Sequence, residues 1–108
     1  MKYVIKQTEY FSKWLTSLKD FKAKARIVAR LEAAMNGNFG DHKPIRDEKV
    51  KGLYEMRIDF GPGYRVYYGQ AGRIVFLVIA GGLKRSQKRD ITIALSLWEA
   101  IKGEGDDQ

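Results

Sequence analysis

The stretch that decides the architecture is Leu53–Gly69, "LYEMRIDFGPGYRVYYG". Its hydrophobic period is two, so Tyr54, Met56 and Ile58 share one face while Glu55, Arg57 and Asp59 share the other. "GPG" turns the chain, and the alternation resumes with Tyr64, Val66 and Tyr68 on the apolar side and Arg65 and Tyr67 opposite. The reading is a β-hairpin that sets Arg65 beside Arg57. Glu55, Arg57, Arg65 and Tyr67 then share a face, within reach across an antiparallel ladder.

Outward from this hairpin, "GQAGR" predicts a second turn. It leads into "RIVFLVIAGG", whose unbroken apolar run reads as a strand buried on both faces. Ser86 is placed to cap a C-terminal helix with Ile91, Ala94, Leu95, Trp98 and Ile101 as its buried stripe. Upstream, "KYVIK" at Lys2–Lys6 predicts a first strand, and Thr8 caps a helix whose core face is Tyr10, Phe11, Trp14, Leu15 and Leu18. Asp20 caps a second helix, "FKAKARIVARLEAAM", closed by Asn36 and Gly37, with Ile27, Leu31, Ala34 and Met35 buried. The segment "NGNFGDHKPIRDEKVKG" reads as a loop in which the turn formers Gly40, Asp41 and Pro44 brace the fold. The resulting order is β-α-α-β-β-β-α, an α+β domain with a small, mainly antiparallel sheet and the helices packed on one face. Residues 1–102 form that single domain, and residues 103–108 an acidic, frayed tail.

The chain has 108 residues, enough for one core. It has no cysteine, which removes disulfide scaffolds, thiolate metal sites and cysteine nucleophiles, and suits a reducing cytosol. The N-terminus lacks a signal-peptide apolar region and the longest apolar run is too short to span a bilayer, so a cytoplasmic protein without membrane contact is expected. No carboxylate–histidine cluster has metal-ligand spacing, and neither metal nor cofactor is expected.

Net charge is +7, and setting aside Glu104, Asp106 and Asp107 leaves residues 1–102 at +10. Such an excess favours polyanions, with nucleic acid as the leading partner class. Lys22, Arg26 and Arg30 repeat every four residues as a ridge that is either a solvated face or a polyanion site. Lys84, Arg85, Lys88 and Arg89 gather at a helix N-terminus, where backbone amides already favour anions. Arg57, Arg65 and these cations compose a candidate phosphate site, with Tyr67 for stacking. RNA suits it best, because its 2′-hydroxyl supplies an internal nucleophile for cleavage. The general acid and base stay open among lysine, Tyr67, Glu55 and His42, the only histidine.

The sequence "LKD…AKARI…RLE…GN.GDHK", then "LYEMRIDFGPGYRVYYG", then "GG.K.SQ..DI..A", resembles addiction-module killer proteins. These are HigB-like members of the RelE/ParE toxin superfamily, and the resemblance runs from about Tyr10 to Leu97. It implies a RelE-like fold and a toxin that cleaves messenger RNA on the translating ribosome. It also implies a cognate antitoxin of helix-turn-helix type. By resemblance, Arg65 contacts the scissile phosphate, Arg57 is the basic residue of the preceding strand, and Lys84, with Arg85 adjacent, follows the last strand. The chain departs from the pattern at Glu55, where RelE has a second lysine. It departs again at Leu83, where this branch has an acid, and in having no tyrosine after Tyr68. Two other functions remain beside the ribonuclease: a ParE-like inhibitor of DNA gyrase, and an inactive RNA- or antitoxin-binding domain.

Overall fold

The computed structural model describes residues 2–73 and 75–106. Five strands form one sheet: β1 (Val4–Gln7), β2 (His42–Pro44), β3 (Leu53–Ile58), β4 (Tyr64–Gln70) and β5 (Val75–Leu83), in the order β1-β5-β4-β3-β2. The helices are α1 (Glu9–Ser17), α2 (Phe21–Met35) and α3 (Gln87–Asp106), the last preceded by a 3-10 turn at Lys84–Ser86. β1 runs parallel to β5, and every other pairing is antiparallel. The architecture is α+β with a mainly antiparallel sheet, as expected. The expected first strand begins later, at Val4, and Ile74, the expected start of the fifth, lies outside the described residues.

The expected caps are in place. The Thr8 hydroxyl accepts from Phe11 N at 3.1 Å and itself donates to Ile79 O at 2.6 Å, tying the start of α1 to β5. Asp20 Oδ1 accepts from Lys22 N and Ala23 N at the start of α2. The β3–β4 hairpin closes through Gly63 N donating to Phe60 O at 2.9 Å, with Gly61 and Gly63 at φ of 55° and 86°. Those angles lie in the left-handed region that favours glycine. Arg57 pairs directly with Arg65 and Glu55 with Tyr67, the register that alternation implies.

The arrangement of helices corrects one expectation. They do not share a face: α1 and α2 cover one side of the sheet and α3 covers the other. Phe11, Ala23, Ile27, Met56, Ile58, Tyr64, Val66, Tyr68 and Val78 belong to the first core. Leu53, Tyr67, Ile79, Ala80, Ala94 and Trp98 belong to the second. The cause is in the strands, since both sides of β4 and β5 carry apolar bulk and each side needs a cover. A bulge opposite Tyr67–Tyr68 leaves Ile79 without a ladder partner and turns both Ile79 and Ala80 toward α3.

Four further differences appear. Residues 42–44, expected as loop, pair with Met56–Tyr54 as an edge strand too short to show a period. Tyr10, expected in the core, is 46% exposed, because Phe11 and Trp14 already fill the α1 side of the sheet. Ser86 does not cap α3 through a backbone amide; its hydroxyl lies 3.1 Å from Leu83 O and against the Asp90 carboxylate. The helix continues through residues 103–106, where a frayed tail is expected, and residues 107 and 108 lie outside the described residues. Among the described residues, no helix is long and apolar enough to cross a membrane.

Candidate phosphate site

The α3 side of the sheet brings together the residues that alternation places there. Glu55 is fully buried and accepts from Arg57 Nε at 3.0 Å, with Arg65 Nε 3.9 Å from the same oxygen. Its second oxygen accepts from the Gln87 side-chain amide, which pins the first turn of α3 over the hairpin. Two like charges directly opposed on a ladder destabilise it, and Glu55 supplies the anion that holds them together. The two arginines therefore carry a built-in counter-charge.

Arg65 is deeply placed, with a side chain 9% exposed and Nη1 donating to Tyr64 O at 3.1 Å. Beside it the Tyr67 phenol is completely buried. Among the described residues, Arg65 Nε and Tyr67 Oη lack hydrogen-bond partners, and both lie on the α3 side. Burial pushes the Tyr67 phenol above its ordinary range, and the Glu55 and Asp90 carboxylates push it further while Arg65 opposes them. Tyr67 therefore stays protonated near neutrality, so it is not a base, and its complete burial corrects its reading as an aromatic for stacking.

Lys84, Arg85, Lys88 and Arg89 stand exposed around this buried group, on the 3-10 turn and first turn of α3. Lys84 is fixed at the hairpin, since its amide donates to Gly63 O at 2.9 Å and its side chain packs close to Gly63. Arg89 lies 3.5 Å from the Asp90 carboxylate with a side chain 76% exposed. The glycine pair before them is required by close approach from both sides. A Cβ at Gly81 would overlap the Trp14 ring, and one at Gly82 would overlap the Asp90 carboxylate.

The other sequence candidates lie elsewhere. His42 is on β2, aligned with Met56 and so on the α1–α2 side, where its Nδ1 shares a hydrogen bond with Tyr68 Oη at 2.6 Å. The ring also sits among Phe39, Tyr54 and Tyr68. This separates it from Arg65 by the thickness of the sheet, so it is no acid or base for that site. Arg30 is structural: its guanidinium donates to Arg57 O, Phe39 O and Asp41 O at 2.6, 3.0 and 3.2 Å, which corrects its reading as an RNA contact. Lys22 and Arg26 remain exposed on α2, with Arg26 stacked 4.8 Å from the Phe60 ring centroid, on the side away from Arg65. Among the described residues, no cluster of His, Cys, Asp and Glu could hold a metal ion.

Gln87 and Asp90, absent from the sequence-derived site, are two of its organising residues. Their three-residue spacing puts them on one helical face, continued by Ile91, Ala94 and Trp98, and was the available signal.

Fold and site can now be set beside known proteins. The archaeal RelE–RelB complex from Pyrococcus horikoshii contains a chain with a TM-score of 0.55 and 19% identity to this one. The match covers 78% of this chain and 97% of that one, and the fold of this protein is RelE-like. An uncharacterized protein of Haemophilus influenzae is 43% identical over 97 residues, covering 90% of this chain and 94% of its own. This chain belongs to the same family as that protein. No family model matches.

Proposed function

We propose that this protein is the toxin of a toxin–antitoxin pair, a HigB-like, ribosome-dependent endoribonuclease that cleaves messenger RNA and so inhibits translation. The observation that carries the reading is the Arg57–Arg65 pair, opposed across one rung of a rigid hairpin, with an unpartnered buried Arg65 Nε and Tyr67 Oη beside it. Buried polar groups without partners cost stability, and they recur where a ligand completes the hydrogen bonding. An RNA phosphate is such a ligand: its oxygens take the guanidinium donors and the Tyr67 hydroxyl, and its negative charge suits the surrounding Lys84, Arg85, Lys88 and Arg89.

In the reaction the 2′-oxygen attacks the adjacent phosphorus, the P–O5′ bond breaks and a 2′,3′-cyclic phosphate forms. Arg65 and Arg57 stabilise the charge that develops on the non-bridging oxygens. Glu55, whose Oε2 lies beside both guanidiniums, takes the 2′-hydroxyl proton, and Lys84 supplies a proton to the departing 5′-oxygen. Glu55 must exchange its arginine contacts for the substrate, so RNA entry is coupled to release of Gln87 and a shift of the first turn of α3. The fold likeness to a RelE chain solved with RelB supports a protein antitoxin for this chain; a helix-turn-helix type of antitoxin and a cytoplasmic site of action are part of the proposal.

Expression without antitoxin is expected to arrest growth and leave cuts in translated messages, read by primer extension. Arg65→Ala abolishes both. Arrest with intact messages and relaxed or broken plasmid DNA would mark a gyrase inhibitor instead, and full toxicity of Arg65→Ala would remove the site.

A further inference from the structure

On the far edge of β5 from the Arg57–Arg65 hairpin lies a cleft of about 570 Å³ between α1 and the β5–α3 junction. Tyr10, Lys13 and Trp14 form one wall, Gly81 and Gly82 the floor, and Asp90 part of the other wall. Its size falls within the roughly 300–1,000 Å³ of small-ligand pockets. β1 pairs with β5 only as far as Gln7 with Val78, so among the described residues Gly81–Leu83 have no strand partner on this edge. A peptide strand adding there would meet Thr8, hydrogen-bonded to Ile79 O, and the Trp14 ring over Gly81. The opening is thus shaped for a flat group rather than an extended chain.

Its chemistry matches a nucleobase. Tyr10 and Trp14 are four residues apart on α1 and present aromatic surface on one side of the helix, Tyr10 at 46% exposure without an evident role in the core. Among the described residues Lys13 is held by a surface pair with Glu9, 3.1 Å apart and largely exposed, which leaves it available to a phosphate. The cleft floor is also adjacent to the proposed reaction centre, because Gly82 is the ladder partner of Arg65. Partner residues on such a ladder are about 5 Å apart between Cα atoms. The cleft floor therefore lies one strand away from Arg65, within the reach of a nucleotide adjoining a phosphate held there.

We infer that the cleft is a nucleobase subsite for the nucleotide flanking the cleaved phosphate. Tyr10 and Trp14 stack on the base, and Asp90, whose carboxylate also takes the Ser86 hydroxyl and lies 3.5 Å from Arg89, offers a remaining lone pair to the exocyclic amino group. This rests on the ribonuclease reading above and adds to it a base preference. Cytosine, adenine and guanine offer an amino donor and uracil does not, so uracil is the disfavoured base.

The test uses a purified translation system and messages carrying each of the four bases on either side of the cut, read by primer extension over time. Wild type is expected to cut uracil-flanked positions several-fold more slowly than the others. Tyr10→Ala, at an exposed position, lowers cutting about tenfold, the effect of losing one base–aromatic stack, with unchanged thermal unfolding. Tyr10→Phe restores it. Asp90→Asn flattens or inverts the preference against uracil, a readout that a purely structural role would not move. If Tyr10→Ala and Asp90→Asn keep the wild-type rate and preference while Arg65→Ala stops cutting, the subsite is refuted and the ribonuclease reading stands. If the wild-type protein cuts nothing, both fall. If Tyr10→Ala weakens antitoxin binding and leaves cutting unchanged, the cleft is a protein interface and the inference is overturned.

Discussion

Replacing Glu55 by glutamine tests whether the site is organised by its internal counter-charge. The substitution keeps shape and removes charge, and the new amide presents a donor toward groups that are themselves donors: Arg57 Nε at 3.0 Å, Arg65 Nε at 3.9 Å and the Gln87 amide. Removing one partner of a fully buried pair costs about 3–5 kcal/mol. Arg57 is one-third exposed, so its share is discounted for solvent, whereas Arg65 at 9% is left nearly buried and uncompensated. The expected loss is about 2–4 kcal/mol. In a domain of this size each kcal/mol moves Tm by roughly 4–8 °C, so a fall of roughly 8–32 °C should appear. Urea unfolding followed by circular dichroism should show a lower midpoint at unchanged slope. Pairing the change with Arg65→Met should recover part of the loss, because the stranded cation is gone. A wild-type midpoint for Glu55→Gln, or strict additivity with Arg65→Met, would refute the reasoning.

Arg30→Ala should cost about 2–3 kcal/mol in urea unfolding, since one guanidinium supplies three backbone carbonyls, whereas Lys22→Ala on the same helix should be near neutral. Gly82→Ala should displace Asp90 and lower stability by about 1–3 kcal/mol, with the largest gain in amide exchange in the first turn of α3. The phenols of Tyr67 and Tyr68 are both held above their ordinary range by burial, so the folded state retains protons that the unfolded state loses. Stability from this source is whole below about pH 10, the unfolded tyrosine value, and falls as pH rises beyond it. Tyr67→Phe should make that alkaline decline shallower in a pH series of urea midpoints.

How much of this was legible in the sequence depends on how local each cause is. Alternation in β3 and β4 placed Arg57 opposite Arg65, and Thr8 and Asp20 announced their helices, because period and capping act within a few residues. The side taken by α3 was not legible, because its apolar stripe fits either face. It is decided by bulk on both sides of β4 and β5, and by a bulge that turns Ile79 and Ala80 the same way. His42 was misplaced because a three-residue edge strand has no measurable period. Arg30 looked like part of a charged ridge because nothing local shows that Phe39 O, Asp41 O and Arg57 O converge on it.

The sheet partitions the apolar interior into two compartments, and their inequality matters. The α1–α2 compartment joins five aromatic or aliphatic side chains of β3 and β4 to two helices, while the α3 compartment is the smaller cluster around Tyr67, Ile79 and Trp98. Detaching α3 opens only the lesser compartment and leaves the greater one sealed by its own helices. Local opening is therefore expected to be easier on the α3 side, where Arg65 and Tyr67 are buried, than on the α1–α2 side.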